Sequence, residues 1–125
     1  MDIEQTVAYV KSLVPDNTYY AFSYPTTSKD DCVLVLIHGG MPTESTGVRR
    51  PTMQFLVRGK PHDSNGALKA ALALYEEFKN KREVMIGDTS ITEIKALQSY
   101  PTWTGTDEAK RPIFSLNFQL TIRGN

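Results

Sequence analysis

Hydrophobic positions recur with two different periods along this chain, and the changes of period mark its elements. Near the start, Ile3, Val7, Val10 and Val14 fall on one helical face, with Asp2 as an N-cap and Gln5 as its box-like partner. The spacing predicts a short amphipathic helix, stopped by Pro15, Asp16 and Asn17. Tyr19 to Tyr24 is rich in aromatics and bounded by Pro25, which predicts a strand, and the polar stretch Thr26 to Asp31 predicts a turn. Asp31 to Ile37 is a continuous apolar run with three β-branched residues, the pattern of a central strand covered on both faces. Gly39 and Gly40 are expected to end it, releasing the chain through φ values that other residues resist.

Met41 to Pro51, MPTESTGVRRP, has no period and reads as an exposed loop bearing Arg49 and Arg50. Loops of this length in compact folds usually have a function. From Thr52 to Arg58 the period becomes two: Met53, Phe55 and Val57 share one face, Thr52, Gln54, Leu56 and Arg58 the other. Asp63, Ser64 or Asn65 then caps a helix whose stripe is Leu68, Ala71, Leu72, Tyr75 and Phe78, ending near Asn80. Val84 to Ile86 and Ile91 to Leu97 predict two strands reversed at Gly87-Asp88. Ile113 to Arg123 alternates most cleanly, with Phe114, Leu116, Phe118, Leu120 and Ile122 toward a core and Ser115, Asn117, Gln119, Thr121 and Arg123 away from it.

The order of elements contains no βαβ series and no repeat, so the expected class is α+β. The expected architecture is one domain, residues 1–125, with a mainly antiparallel or mixed sheet and both helices packed on one face. The other, polar face is left for solvent or a partner.

Charge narrows the partners. Fourteen basic residues balance fourteen acidic ones, so no global field holds DNA, RNA or an anionic membrane. The longest apolar run, Cys32 to Ile37, falls far short of the ~18 residues of a membrane span. The first residues lack the basic start and apolar run of a signal peptide, and the lone Cys32 reads as a buried thiol in a reducing compartment, so a soluble cytoplasmic chain is expected.

Candidate chemistry is thin. VLVLIHGG, residues 33–40, resembles a hydrolase strand entering a His-Gly-Gly oxyanion loop, but no G-x-S-x-G elbow follows and neither His38 nor His62 comes after a plausible nucleophile. His62-Asp63 reads as a helix start rather than a dyad, and no cluster has metal-ligand spacing. Gly39-Gly40 lacks the Lys-Ser/Thr sequel of a phosphate loop, and Glu76-Glu77 reads as a solvated helix surface. No catalytic residue, cofactor or metal is expected.

The C-terminal stretch YPTWTGTDEAKRPIFSLNFQLTIRG, residues 100–124, is more specific. Asp107 or Glu108 precedes Arg111 across a glycine-containing turn, close enough for a charge-assisted hydrogen bond that pins the loop to the last strand. Trp103, read as lying on a loop between threonines, is either a lid on the core or an anchor for a partner. Pro101, Trp103, Gly105, Asp107, Glu108, Arg111, Asn117 and Phe118 together resemble the C-terminal part of the minor capsid and tail terminator (tail completion) proteins of long-tailed bacteriophages. The earlier order is similar too, with an Arg-bearing loop, the strand end VRGK at Val57 to Lys60 and an Ala-rich helix. One departure is Ala109-Lys110, where a glycine would be expected before Arg111 and the turn is expected to be wider.

The resemblance implies a structural virion protein of the phage neck that ends tail-tube growth and joins the tail to the head connector, in the form of a hexameric ring. The implied partners are other copies of the chain, the major tail tube protein and a head completion or connector protein. DNA would pass through the ring without sequence-specific binding, and assembly would take place in the host cytoplasm without a membrane. A head-to-tail connector role in the same neck, and a small hydrolase or ligand-binding domain built around His38-Gly39-Gly40, are the alternatives. Candidate interface residues are Arg49, Arg50, Trp103, Asp107, Arg111 and Asn117.

Overall fold

A computed structural model describes residues 1–124. Its first element, α1 (Ile3–Leu13), begins with the expected capping box: the Asp2 carboxylate accepts from the Gln5 N–H at 2.8 Å, and the Gln5 side chain accepts from the Asp2 N–H at 3.1 Å. The helix buries Val10 together with Thr6, whose hydroxyl donates to the Asp2 carbonyl at 2.8 Å and so enters the interior satisfied.

Strand β1 (Tyr19–Ala21) is shorter than its aromatic run predicts, because Phe22 adopts φ 63° and turns the chain away before Tyr24. Strand β2 (Cys32–Met41) is longer. It runs through Gly39 and Gly40 instead of ending there, and its register against the next strand shifts between His38 and Met41. The glycines make a bulge: Gly40 has φ 67°, and a Cβ on it would lie 2.1 Å from the Arg50 carbonyl oxygen. Coverage on both faces holds for Cys32 to Val35 and is lost from His38 onward.

Strand β3 (Arg50–Arg58) presents Met53, Phe55 and Val57 inward as expected, while its last residue lies on the expected opposite face yet is buried there: Arg58 is only 4% exposed. Helix α2 (Ser64–Phe78) is capped by Asp63, whose carboxylate accepts from the Gly66 N–H at 2.9 Å. It buries Ala67, Ala71, Leu74 and Phe78, so its inward stripe is rotated from the expected one, with Leu68, Leu72 and Tyr75 on the flank. Strands β4 (Asn80–Ile86) and β5 (Thr89–Ala96) form a hairpin at Gly87-Asp88. Strand β6 (Thr102–Thr106) was not expected, and β7 (Pro112–Ile122) was.

The seven strands form one sheet in the order β1-β2-β3-β7-β5-β4, with β6 also on β7. β1 pairs parallel to β2, and the remaining pairings are antiparallel. The fold is therefore α+β with a mixed sheet. Both helices cover one sheet face, where Phe55, Phe78 and Phe118 meet at centroid distances of 5.6, 5.6 and 6.2 Å around the centre of the core. Among the described residues, no helix is long and apolar enough to cross a membrane.

Candidate assembly surface

Strand β7 is the spine of the candidate surface because three strands pair with it. β3 takes one side. On the other side β5 pairs with its C-terminal half, up to Ala96 opposite Phe118, and β6 with its N-terminal half, from Thr102 opposite Ser115. The break between β5 and β6 leaves a gap in the ladder, and the side chain of Gln98 fills it. Its Nε2 donates to the Ser115 carbonyl at 2.8 Å and its Oε1 accepts from the Asn117 N–H at 2.8 Å, as a peptide group of a continuous strand would. The same Nε2 donates to the Thr102 hydroxyl at 2.8 Å, which ties the start of β6 to the patch.

Asn117 belongs to this network. Its Nδ2 donates to Gln98 Oε1 at 3.0 Å and to the Ser115 hydroxyl at 3.2 Å, while its carbonyl accepts from the Leu97 N–H at 2.9 Å. The sequence places Asn117 on an open polar face, and the structure shows it half-buried with its amide engaged inside the chain. Gln98 was missed as a structural residue because its role depends on a strand break that no local pattern reveals.

The turn between β6 and β7 is built on Asp107. The Lys110 N–H donates to the Asp107 carbonyl at 3.0 Å, and Lys110 then takes φ 65°. This is a tight turn followed by a left-handed residue, the geometry of a short hairpin loop. Lys110 thus occupies the conformation for which glycine was expected, and the turn remains tight. Asp107 Oδ1 accepts from the Ala109 and Arg111 N–H groups, each at 3.0 Å, and Oδ2 accepts from Arg111 Nε at 2.8 Å. Partial burial pushes the Asp107 carboxyl pKa upward, but the bonds from Arg111 and Ala109 outweigh it and hold the group below its ordinary value. Arg111 Nη1 also reaches Asp30 at 3.1 Å, so the turn is fastened to the loop after β1.

Arg58 fastens the same loop from beneath. Its Nε donates to the Asp30 carbonyl at 2.9 Å, and Nη2 donates to the Lys29 carbonyl at 2.8 Å and the Ser28 hydroxyl at 3.1 Å. Its guanidinium lies 4.1 Å from the centroid of the Tyr24 ring. The alternation of β3 correctly puts Arg58 opposite the core, and what it could not reveal is the loop folded over that position. Burial raises the pKa of the neighbouring Cys32 thiol, as expected for an inert buried cysteine.

Trp103 stands on β6, not on a loop. One edge of its indole covers Phe114 at a centroid distance of 5.3 Å, while 52% of the residue remains exposed. The arginine pair is divided by its surroundings. Arg50 opens β3 and pairs with Glu44, whereas Arg49 is exposed and, among the described residues, its guanidinium has no carboxylate partner. Arg49 is held by its backbone, which exchanges hydrogen bonds of 3.2 and 2.8 Å with Ile122. His38 Nε2 lies 2.8 Å from Gln54 Oε1 on the face of the sheet away from the helices. The six candidate residues consequently form two groups, with Trp103, Asp107, Arg111 and Asn117 around β6 and β7 and the arginine pair where the β2–β3 connection enters β3.

This surface offers fixed polar contacts, an exposed indole and an exposed guanidinium, the materials of recognition between proteins. No curated protein matches the sequence. A solved chain from the structure titled "Virion of native gene transfer agent (GTA) particle" has a similar fold, with a TM-score of 0.67 at 14% identity, covering 97% of this chain and 90% of that one. The pattern of the bacteriophage tail terminator proteins matches residues 11–123, which include β1 to β7, α2 and the Asp107–Arg111 turn. The chain therefore belongs to the bacteriophage tail terminator protein family and is a structural protein of the phage tail.

Proposed function

We propose that this chain closes into a ring, a hexamer by its resemblance to the long-tailed phage proteins, that stops growth of the tail tube and joins the tail to the head. The family match across residues 11–123 carries this reading. One face of the ring meets the major tail tube protein and the other a head completion or connector protein. The ring is built in the host cytoplasm and remains in the neck of the virion. DNA passes through it without being read, consistent with a chain whose fourteen basic residues are matched by fourteen acidic ones. The exposed Arg49 and Trp103 are the side chains we assign to contacts with neighbours, while Asp107, Arg111 and Asn117 hold the β6–β7 edge in the shape those contacts need.

Electron microscopy of a phage lysate lacking this protein tests the reading. The expected result is filled heads separated from tails whose tubes have lost their length control. Normal joined particles would overturn it, and heads without tails beside tubes of normal length would assign the protein to the head-side connector instead.

A further inference from the structure

The outer strands of the sheet differ in how their edges are protected. β4 carries Lys81, Arg82 and Glu83, and Glu83 adopts φ 52°; charges and a backbone kink of this kind keep an edge from pairing with another chain. β6 lacks the charges, and its irregularity is a register shift between Trp103 and Gly105, where Gly105 takes φ 107°. Thr102–Thr106 reads Thr-Trp-Thr-Gly-Thr, uncharged and mostly strand-favouring, and among the described residues no strand pairs with its outer side. β1, at the opposite end of the sheet, reads Tyr-Tyr-Ala and is also uncharged. Thr18 and Phe22 bond to Val33 and Val35 of β2 at 2.8 and 3.0 Å, an alternation that turns the Tyr19 peptide groups and the Ala21 N–H outward, while the Ala21 carbonyl accepts from the Ser23 N–H at 2.7 Å.

These two edges end the same row of the sheet. Tyr19 pairs with Val33, Val33 with Val57, Val57 with Phe114, and Phe114 with Trp103. Following the pairings, β1 runs with β2 and against β6. A second copy placed alongside in the same orientation would bring its β1 antiparallel to β6 and continue the row. Exposed apolar side chains mark the same ends: Phe22 beside β1, and Leu97, Tyr100 and Trp103 beside β6. A contact between two different patches of one chain is head-to-tail, and such contacts repeat by rotation until they close.

We propose that the outer edge of β6 in one subunit pairs antiparallel with β1 of the next, so that the sheet continues across the subunit boundary. The proposal rests on the ring reading and identifies its seam. The test places a charge on each edge through Trp103→Lys and Ala21→Glu, both at exposed positions, with thermal melting of the isolated subunits as the control for folding. Thr106→Lys is the second β6 variant should Trp103→Lys melt low. Ring formation is read by native mass spectrometry and by microscopy of capped tail tubes. Each folded single variant is expected to lose assembly by about a hundredfold, the scale of burying an unpaired charge, and the Trp103→Lys, Ala21→Glu double variant is expected to recover it. Folded single variants that assemble like wild type would overturn the seam. So would loss in the β6 variant with normal assembly of Ala21→Glu, because β6 would then meet a different protein. Wild-type subunits that cap tubes without associating with one another would remove the ring reading itself, a result visible before any variant is made.

Discussion

At the scale of the residue, Phe118 and Asn117 are neighbours on β7 with opposite surroundings. Phe118 is fully buried against Phe55 and Phe78. Phe118→Ala is expected to cost about 3–5 kcal/mol, read as a lowered midpoint in denaturant, which can unfold a domain of ordinary stability. The burial of Phe118 was legible because a period of two over β7 admits one inward set of side chains. The engagement of Asn117 and the burial of Arg58 were not, since both depend on loops brought from elsewhere in the chain. Asp107 provides a test in pH. Its carboxyl pKa is lowered in the fold, so its contribution to stability is present above the ordinary Asp value of about 3.9 and is lost as pH falls through the lowered one. Asp107→Asn should therefore lower stability at neutral pH and lose part of the acid-induced decline, as read by melting temperature against pH. An unchanged pH profile would show that the Arg111 contact contributes nothing.

At the scale of the element, two glycine-containing segments show what periodicity misses. β2 continues through Gly39-Gly40 because a bulge can absorb glycine where hydrogen bonds to β3 resume at Met41. Gly40→Ala places a Cβ against the Arg50 carbonyl and should destabilise the fold by about 1–3 kcal/mol, while Gly39→Ala, whose Cβ meets open space, should cost less. β6 was hidden for a related reason: it is short, Gly105 sits in it at φ 107°, and its pairing partner is a strand that follows in the chain. The bridge made by Gln98 is the element-scale consequence. Gln98→Ala leaves the Ser115 carbonyl and Asn117 N–H without their partner, and a loss of about 1–3 kcal/mol is expected. Faster hydrogen exchange at the Asn117 amide would locate that loss at the gap, and unchanged exchange would show that the gap does not need Gln98.

At the scale of the whole molecule, the α+β class, the antiparallel pairings and both helices on one face were legible from the sequence of periods. The parallel β1 was not, because three residues carry too little pattern to show direction. The surface reads as one built for neighbours: an exposed Trp103, uncharged edge strands β1 and β6, and Arg49 held in place by its backbone while its side chain is exposed. Arg49→Glu should melt within about 1 kcal/mol of wild type, as an exposed charge does, yet reduce tail completion; an unchanged phage titre would remove Arg49 from the contact surface. The central claim is that subunits of this family member form a ring on the end of the tail tube. The direct measurement is microscopy of growing tail tubes to which the purified protein is added, with class averages of the tube ends. The account expects a closed ring on the end and no further elongation. Bare ends on tubes that keep growing would contradict it.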